Sequence, residues 1–208
     1  MKNLIVTMPM HNEVYAFRYP VQGNSEIESN DEVIFGVNGV LGRILKPKEK
    51  VKLIFIVSRG GKDLGIENTK LFREEFDRVN GGKNLDVSEN VVELNFNPVK
   101  GEFEKLTSSL IESIDEGAEI IGDFTFGSKP FPFVLLCAIN FAEMFKQASL
   151  LYLTYSKVEM LDGPGKPPKN PMLYDLTSIY YLQKLIGAME GRNHTTALKM
   201  LNDFFAMN

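Results

Sequence analysis

The chain has 208 residues, of which 44% are hydrophobic and 24% charged, and this ordinary globular composition predicts one domain with at most a small appendage. Its formal net charge of −4 at pH 7 excludes an overall positive field for duplex DNA or RNA, so an anionic ligand would need a local cluster of donors. The single cysteine, Cys137, excludes an internal disulfide, and no apolar run approaches ~20 residues, so we expect a cytoplasmic protein without a membrane span.

Short β-branched runs alternate along the chain with segments of helical spacing. The continuous apolar run at 51–57 is typical of strands that are covered on both faces in a parallel sheet. The alternation predicts a doubly wound α/β fold with a mainly parallel sheet and C-terminal helices. We predict a ligand-binding domain over 1–190 and a helix over 191–208 packed on the domain or on a dimer interface. In chain order, the predicted elements are a strand at 3–8, an extended edge segment at 14–21, a helix at 31–45, a strand at 51–57, a helix at 68–79, strands and helices at 91–96, 102–114, 119–125 and 133–145, a strand at 149–155, and helices at 176–190 and 195–205.

The sequence allows more specific predictions for two segments, the helix at 31–45 and the proline-rich stretch at 162–171. Asp31 is predicted to cap the helix that follows it. The glycines at 36, 39 and 42 each weaken that helix by ~1 kcal/mol, so they predict close packing on the sheet or on another chain. The proline-rich stretch at 162–171 is interpreted as a connector, a partner-contacting arm or a lid.

The most informative stretch, residues 119–146, has the pattern of a strand, a tight turn and a helix. Pro130 and Pro132 fit only in a first helical turn, where a missing N–H group costs nothing. Residues 133–145 are apolar almost all round, which predicts a buried helix and places Cys137 in the core.

The turn in this stretch brings polar side chains to a helix N-terminus. Asp123, Thr125, Ser128 and Lys129 follow the carboxyl end of the predicted strand. Free N–H groups and the helix dipole make this place favourable for an anion. The alternative is an ordinary strand-to-helix turn, with Asp or Ser as the cap and Lys in solvent.

Three loops are predicted to meet at one edge of the sheet, at 8–12, 58–62 and 125–129. In doubly wound folds, ligands bind beyond the carboxyl ends of the strands, where the strand order changes direction. The loops supply hydroxyls, amides, cations and glycine backbones with few carboxylates, a set that suits phosphates and bases better than a metal. The side chains in question are His11, Asn12, Ser58, Arg59, Thr125, Ser128 and Lys129.

Common enzyme motifs are missing from the sequence. Gly122 and Gly127 have the Walker A spacing, but Ser128 and Lys129 follow in the reverse order, which excludes a P-loop ATPase. No G-x-G-x-x-G follows the first strand, no G-x-S-x-G is present, and no His, Cys or Asp cluster has metal-ligand spacing. We therefore expect neither a metal nor a cofactor.

The turn also resembles a known family. Asp123-Phe-Thr-Phe-Gly-Ser-Lys129 with Pro132 is similar to the D-x-T-x-G-x-[RK]-x-x-P signature of CRISPR-associated Rossmann-fold (CARF) domains. The tyrosine-rich end of the strand at 152–155 and the entry Asp175-Leu-Thr177 resemble later segments of the same family. Two positions depart from it: Phe126 stands where many members have His or Asn, and Lys129 where many have Arg.

The resemblance implies a homodimer that binds cyclic oligoadenylate, the second messenger of type III CRISPR antiviral defence, across its two-fold axis. Ring size, tetra-adenylate or hexa-adenylate, stays open. The ligand-binding residues implied are Met8, Pro9, His11, Asn12, Ser58, Arg59, Gly60, Asp123, Thr125, Phe126, Gly127, Ser128 and Lys129.

Stand-alone CARF proteins are often ring nucleases, in which a ribose 2′-OH attacks the adjacent phosphodiester without a metal. Lys129, Ser58 and Ser128 are then the catalytic candidates, and Thr125 or His11 could orient the hydroxyl. No R-x-x-x-x-H ribonuclease motif follows residue 190, so the chain is either a stand-alone protein or the sensor domain of a larger effector. A non-catalytic sensor and a nucleotide-dependent enzyme remain as alternatives.

Overall fold

The computed structural model describes residues 1–11, 14–60, 64–95, 99–159 and 168–207. Strands and helices alternate along most of these ranges, and a short 3-10 helix lies at Ser25–Ile27. The elements are β1 (Lys2–Thr7), β2 (Val21–Gln22), α1 (Gly36–Ile44), β3 (Lys50–Arg59), α2 (Leu64–Asn80), β4 (Asp86–Asn95), α3 (Lys100–Ser113), β5 (Glu119–Asp123), α4 (Phe131–Phe145), β6 (Ser149–Glu159), β7 (Lys169–Asp175), α5 (Thr177–Ala188) and α6 (His194–Met207).

Within the described residues, seven strands form one sheet in the order β2-β7-β6-β5-β1-β3-β4. The strands from β6 to β4 are parallel to one another, β7 runs antiparallel to β6, and β2 is parallel to β7. β1 is an interior strand, between β5 and β3, and all six of its residues are buried because helices cover both faces of the sheet. The fold is therefore α/β and doubly wound, as the sequence predicts.

The sheet has a helical layer on each face, and the alternation along β1 shows how they divide. Leu4 and Val6 pack with α1 and α2 in one core cluster, whereas Ile5 packs with α3 and α4 in the other. A third, smaller cluster lies around β7 and includes Tyr19 and Leu173. No helix among the described ranges is both long and apolar enough to cross a bilayer.

The start of α1 differs from the prediction. The helix begins at Gly36 rather than after Asp31, because Val33 is held in an extended bridge with Phe17. The cap comes from α2: the buried Glu75 carboxylate accepts the backbone N–H groups of Ile34 and Phe35, at 2.6 and 3.1 Å. Asp31 instead accepts a hydrogen bond from the neighbouring Ser29 hydroxyl.

The glycines of α1 pack against three different neighbours. A Cβ at Gly36 would overlap the Ser156 Oγ on the sheet, and one at Gly42 would overlap a Val79 methyl on α2. A Cβ at Gly39 would approach Ser29. The predicted close packing is correct, and the sheet supplies one of the three contacts.

The proline-rich stretch is the second difference. Residues 169–171, predicted as part of a loop, belong to β7, while 162–167 lie outside the described residues, as do Asn12 and Phe96. Pro171 fits into a strand because the β6–β7 pairing shifts register between Lys157 and Glu159, opposite this part of β7. Asp175, the last residue of β7, lies just before α5, and its Oδ1 accepts the Thr177 N–H at 3.0 Å.

The prediction that α4 is buried all round is wrong for one face. Val134, Leu135 and Ala138 are buried against the sheet, but the opposite stripe is in solvent. Cys137 lies on that stripe and is exposed, so it is not a core residue. The sequence of α4 could not distinguish the two faces of this helix, because the exposed face is mostly apolar like the buried one.

Candidate functional site

The switch point of the sheet lies between β1 and β5. After β1 the chain first places the short β2 at the far edge of the sheet, beside β7. It then forms β3 and β4 on one side of β1 and returns to place β5 on the other side. The loops that leave β1 and β5 therefore diverge and open a crevice at the carboxyl edge of the sheet. A cavity of about 410 Å³ occupies this crevice, and we call it the switch-point cavity.

Each of the three segments singled out in the sequence contributes to the lining of the switch-point cavity, although residues 61 and 62 lie outside the described residues. Pro9 and His11 follow β1, Ser58 lies near the end of β3, and residues 125–128 form the turn after β5. Met10, which was not predicted, also lines it. The lining combines hydroxyls, an imidazole and turn backbone, without an acidic side chain among its described members.

The turn after β5 is fixed to β1 by one buried hydroxyl. Thr7 Oγ1 donates to the Phe126 carbonyl at 2.5 Å and accepts the Phe126 N–H at 3.2 Å. Thr7 is fully buried, so these two bonds anchor the turn to the interior of the sheet. The backbone at Phe126 is thus attached to β1.

Asp123, the first residue of the turn motif, is 2% exposed and lies under the turn. Its Oδ2 accepts the Thr154 hydroxyl at 2.7 Å, and its Oδ1 accepts the Thr125 N–H at 3.0 Å. Burial raises the pKa of this carboxyl above its ordinary value, although the hydrogen bonds from the two threonines act in the opposite direction. Asp123 therefore positions the turn rather than lining the cavity.

Thr125 extends this network to β6. Its Oγ1 accepts the Ser156 N–H at 2.8 Å, so the hydroxyl faces the neighbouring strand as well as the cavity. The D-x-T pair thus forms a structural clamp between β5 and β6. Side chains of this kind are expected where a turn must hold one shape.

Gly127 has a φ of +95°, and a Cβ placed on it would overlap the Phe131 ring. Both the backbone conformation and the close contact require glycine. The turn then enters α4, with the Phe131 N–H donating to the Ser128 carbonyl at 3.0 Å.

The far end of the turn offers unused donors. In the described part of the chain, the backbone N–H groups of Gly127, Ser128 and Lys129 donate to no acceptor, and the Lys129 ammonium has no ion-pair partner. All three residues are exposed. Consecutive N–H groups before a helix, next to a cation, form a favourable environment for a phosphate.

Other predicted residues lie elsewhere. Arg59 forms an ion pair with Glu93 of β4, with the guanidinium Nη2 2.5 Å from the carboxylate Oε1, and the exposed Gly60 follows it. Met8 is 1% exposed and belongs to the core, so only its backbone is near the site. Asn12 lies outside the described residues.

Asn68 is a site residue that the sequence analysis missed. Asn68 is buried in the first half of α2, and its Nδ2 donates to the carbonyls of Pro9 and His11, at 2.9 and 3.2 Å. It thereby fixes the loop after β1. A polar residue at a buried position of an amphipathic helix is the only signal in the sequence that points to it.

The chemistry offered is anion binding with hydroxyls and one imidazole nearby. Among the described residues, no group of three or more His, Cys, Asp or Glu side chains could hold a metal ion. No protein-family model matches the chain, and no curated protein is similar to it. The geometry of the switch-point cavity is therefore the basis for a functional proposal.

Proposed function

We propose that the protein binds a cyclic oligoadenylate at the switch-point cavity of a homodimer, in antiviral signalling of the CRISPR-associated Rossmann-fold type. The observation that supports this most directly is the turn at 127–129, which has free N–H groups: Gly127 and Ser128 line the cavity, and Lys129 follows them in the chain. A cyclic ligand with repeated phosphates matches a protein that repeats one such turn by two-fold symmetry. The D-x-T-x-G motif serves here as the clamp that gives the turn its shape.

The binding mode makes a prediction about Lys129. The Lys129→Ala variant should weaken binding by at least about 1.5 kcal/mol, or roughly tenfold, because a charged hydrogen bond to phosphate is lost. Lys157, an exposed lysine of β6, provides the matched control, and Lys157→Ala should bind as the unchanged protein does. Titration calorimetry with cyclic tetra-adenylate and cyclic hexa-adenylate gives the affinity, and one ring per two chains is the expected stoichiometry. Equal affinities for the two variants would remove Lys129 from the site.

Cleavage of the ring is the catalytic form of this proposal. A ribose 2′-OH would attack the adjacent phosphorus, the P–O5′ bond would break, and the products would be a 2′,3′-cyclic phosphate and a 5′-OH. Lys129 and the turn N–H groups would stabilise the charge on the phosphate, while Ser58, Ser128 or His11 would orient the hydroxyl or relay its proton.

Incubation of the purified protein with each ring in EDTA, followed by chromatography, separates the catalytic form from a sensor. Linear products ending in 2′,3′-cyclic phosphate would establish a ring nuclease. Intact ring recovered from a tight complex would establish a non-catalytic sensor, the second candidate. The sensor is supported by the absence of an acidic side chain from the described lining, which leaves the His11 imidazole as the side-chain base.

A further inference from the structure

A larger cavity, of about 720 Å³, adjoins the switch-point cavity, and we call it the aromatic cavity. It lies between the segment that precedes β2, the loop after β1 and the end of β6. Tyr15, Phe17 and Tyr19 line one side, and Val158 lines another. Met10, His11 and Phe126 line both cavities, so the two cavities adjoin at these residues.

The row of rings follows from an extended backbone. Phe17 exchanges two backbone hydrogen bonds of 2.9 Å with Val33, so alternate side chains of this segment point the same way. The ring centroid of Phe17 lies 6.5 Å from that of Tyr15 and 6.0 Å from that of Tyr19. Tyr19 is buried at the base of the row, whereas Tyr15 and Phe17 are only half-buried. Two aromatic side chains therefore present surface to the cavity.

The lining determines the chemistry of the occupant. No Asp, Glu, Lys or Arg lies among the described lining residues, so a charged group would lose its hydration without gaining a partner. A neutral planar ring instead gains buried area and a stacking partner. The volume lies within the ~300–1,000 Å³ that small-molecule sites have.

Phe126 connects this chemistry to the phosphate turn. Its backbone is held by Thr7, while its ring packs edge-on against His11, with 6.1 Å between the ring centroids. The residue before Gly127 thus forms a wall of the aromatic cavity, directly beside the free N–H groups. A nucleotide needs such a pair of neighbouring environments, one for its phosphate and one for its base.

We propose that the aromatic cavity is a subsite for one purine base, belonging to the nucleotide whose phosphate lies on the 127–129 turn. This inference rests on the proposed function and adds the group that reads the base. The base stacks on the Tyr15–Phe17 row. Phe126, one of the two positions where this chain departs from the CARF pattern, then contributes an aromatic wall.

The test varies both the aromatic side chain at position 15 and the base of the cyclic ligand. Tyr15→Ala should weaken binding of the preferred cyclic oligoadenylate by between about 5-fold and 150-fold, the range that one base stacked on an aromatic side chain supplies. Tyr15→Phe should keep the affinity, and Ala16→Ser, on the outward side of the same segment, is the control. Cyclic oligouridylate of the same ring size keeps every phosphate but has a smaller base, and it should lose less than the adenylate on Tyr15→Ala.

A second pair of variants fills the cavity instead of enlarging it. Val158→Phe places a ring in the space assigned to the base and should weaken adenylate binding at least fivefold. Lys157→Phe adds the same ring one residue away on the exposed face of β6 and should leave the affinity unchanged. Urea unfolding of each variant verifies that the fold is retained.

The outcomes separate the two proposals. Unchanged affinity in both Tyr15→Ala and Val158→Phe, with a loss in Lys129→Ala, would overturn the base subsite and leave the proposed function in place. If neither cyclic tetra-adenylate nor cyclic hexa-adenylate binds the unchanged protein, both proposals fail. Loss in both cavity variants with retention in their controls would support the subsite.

Discussion

Gly127 is the single residue on which the shape of the turn depends most directly. Gly127→Ala should lower the free energy of unfolding by about 2–4 kcal/mol, because the left-handed backbone costs roughly 1–2 kcal/mol and the contact with Phe131 adds a similar amount. Gly117 is a matched control: it has a φ of +65°, but no neighbouring atom lies within 4 Å of the position that an alanine methyl would take. Gly117→Ala should therefore show the backbone cost alone.

Urea unfolding of the two alanine variants measures this difference. The variant at 127 should also lose ligand affinity, whereas the variant at 117 should not. Equal destabilisation of the two would mean that the Phe131 ring moves aside without cost, and the turn would then be less rigid than its contacts indicate.

Asp123 gives the protein a pH-dependent component of stability. Because burial raises the pKa of its carboxyl in the folded state, the folded protein retains the proton to higher pH than the unfolded chain does. Stability is therefore highest when the group is protonated. It falls as the pH rises from about 4, the pKa in the unfolded chain, through the raised folded pKa.

The Asp123→Asn variant should lack this component while it keeps an acceptor for the Thr125 N–H. The stability of the variant relative to the unchanged protein should increase with pH across that window and be constant above it. Urea titrations at several pH values between about 4 and 8 measure the difference. A relative stability that decreases with pH would show that the hydrogen bonds outweigh burial.

At the scale of elements, Glu75 joins α2 to the start of α1. Its carboxylate accepts hydrogen bonds from Ile34, Phe35 and the Asn38 side chain, and it is 7% exposed. Glu75→Gln should cost about 2–3 kcal/mol, because an amide NH₂ would face buried donors. Glu74→Gln, at the exposed neighbouring position, should change the stability by less than about 0.5 kcal/mol.

Chemical unfolding followed by circular dichroism distinguishes these two glutamine variants. A loss at Glu74 as large as that at Glu75 would indicate a general charge effect instead of a cap.

The same contact explains which elements the sequence predicts and which it does not. The parallel strands could be predicted because each is marked by an apolar run in its own sequence. The start of α1 could not, because it depends on a carboxylate from a different helix, α2. β7 could not be predicted because Pro171 and the prolines that precede the strand favour a loop, and Pro171 fits only because the β6–β7 pairing shifts register opposite it.

The features of the candidate site also divide into those that the sequence predicts and those that it does not. The three loops could be assigned to one edge because strand direction fixes where the carboxyl ends lie. The roles of Thr7 and Asn68 could not be predicted, since both act through tertiary hydrogen bonds to backbone groups of distant segments. The alternation of Tyr15, Phe17 and Tyr19 in the sequence does predict a row of aromatic side chains on one face of an extended segment. The sequence does not show that this row lines a cavity, because the other walls come from distant segments.

At the scale of the whole molecule, α6 is the element least integrated into the fold. No residue between 194 and 206 is buried, and α5 is the element with which α6 has most of its contacts. A chain ending at Glu190, the predicted domain boundary, should therefore unfold cooperatively. Its stability should fall by at most about 2 kcal/mol, the gain from burying one large apolar side chain.

A chain ending at Leu176 is the informative comparison. It would also lose Tyr180, which is 3% exposed, and Lys184, which pairs with the largely buried carboxylate of Glu143. Removal of the partners of a buried carboxylate should cost at least about 3–5 kcal/mol. Urea unfolding of the two shortened chains should show a large difference, and similar losses would place the domain boundary elsewhere.

The position of β1 between β3 and β5 has a consequence for how the chain is made. Lys2 pairs with Val51 on one side and with Glu119 on the other, so β1 leaves the ribosome long before the strand that covers its second edge. At roughly 5–20 residues per second, one edge of this apolar strand stays open for on the order of ten seconds during synthesis. The nascent chain therefore presents an unpaired hydrophobic strand to chaperones and to other nascent chains throughout that interval.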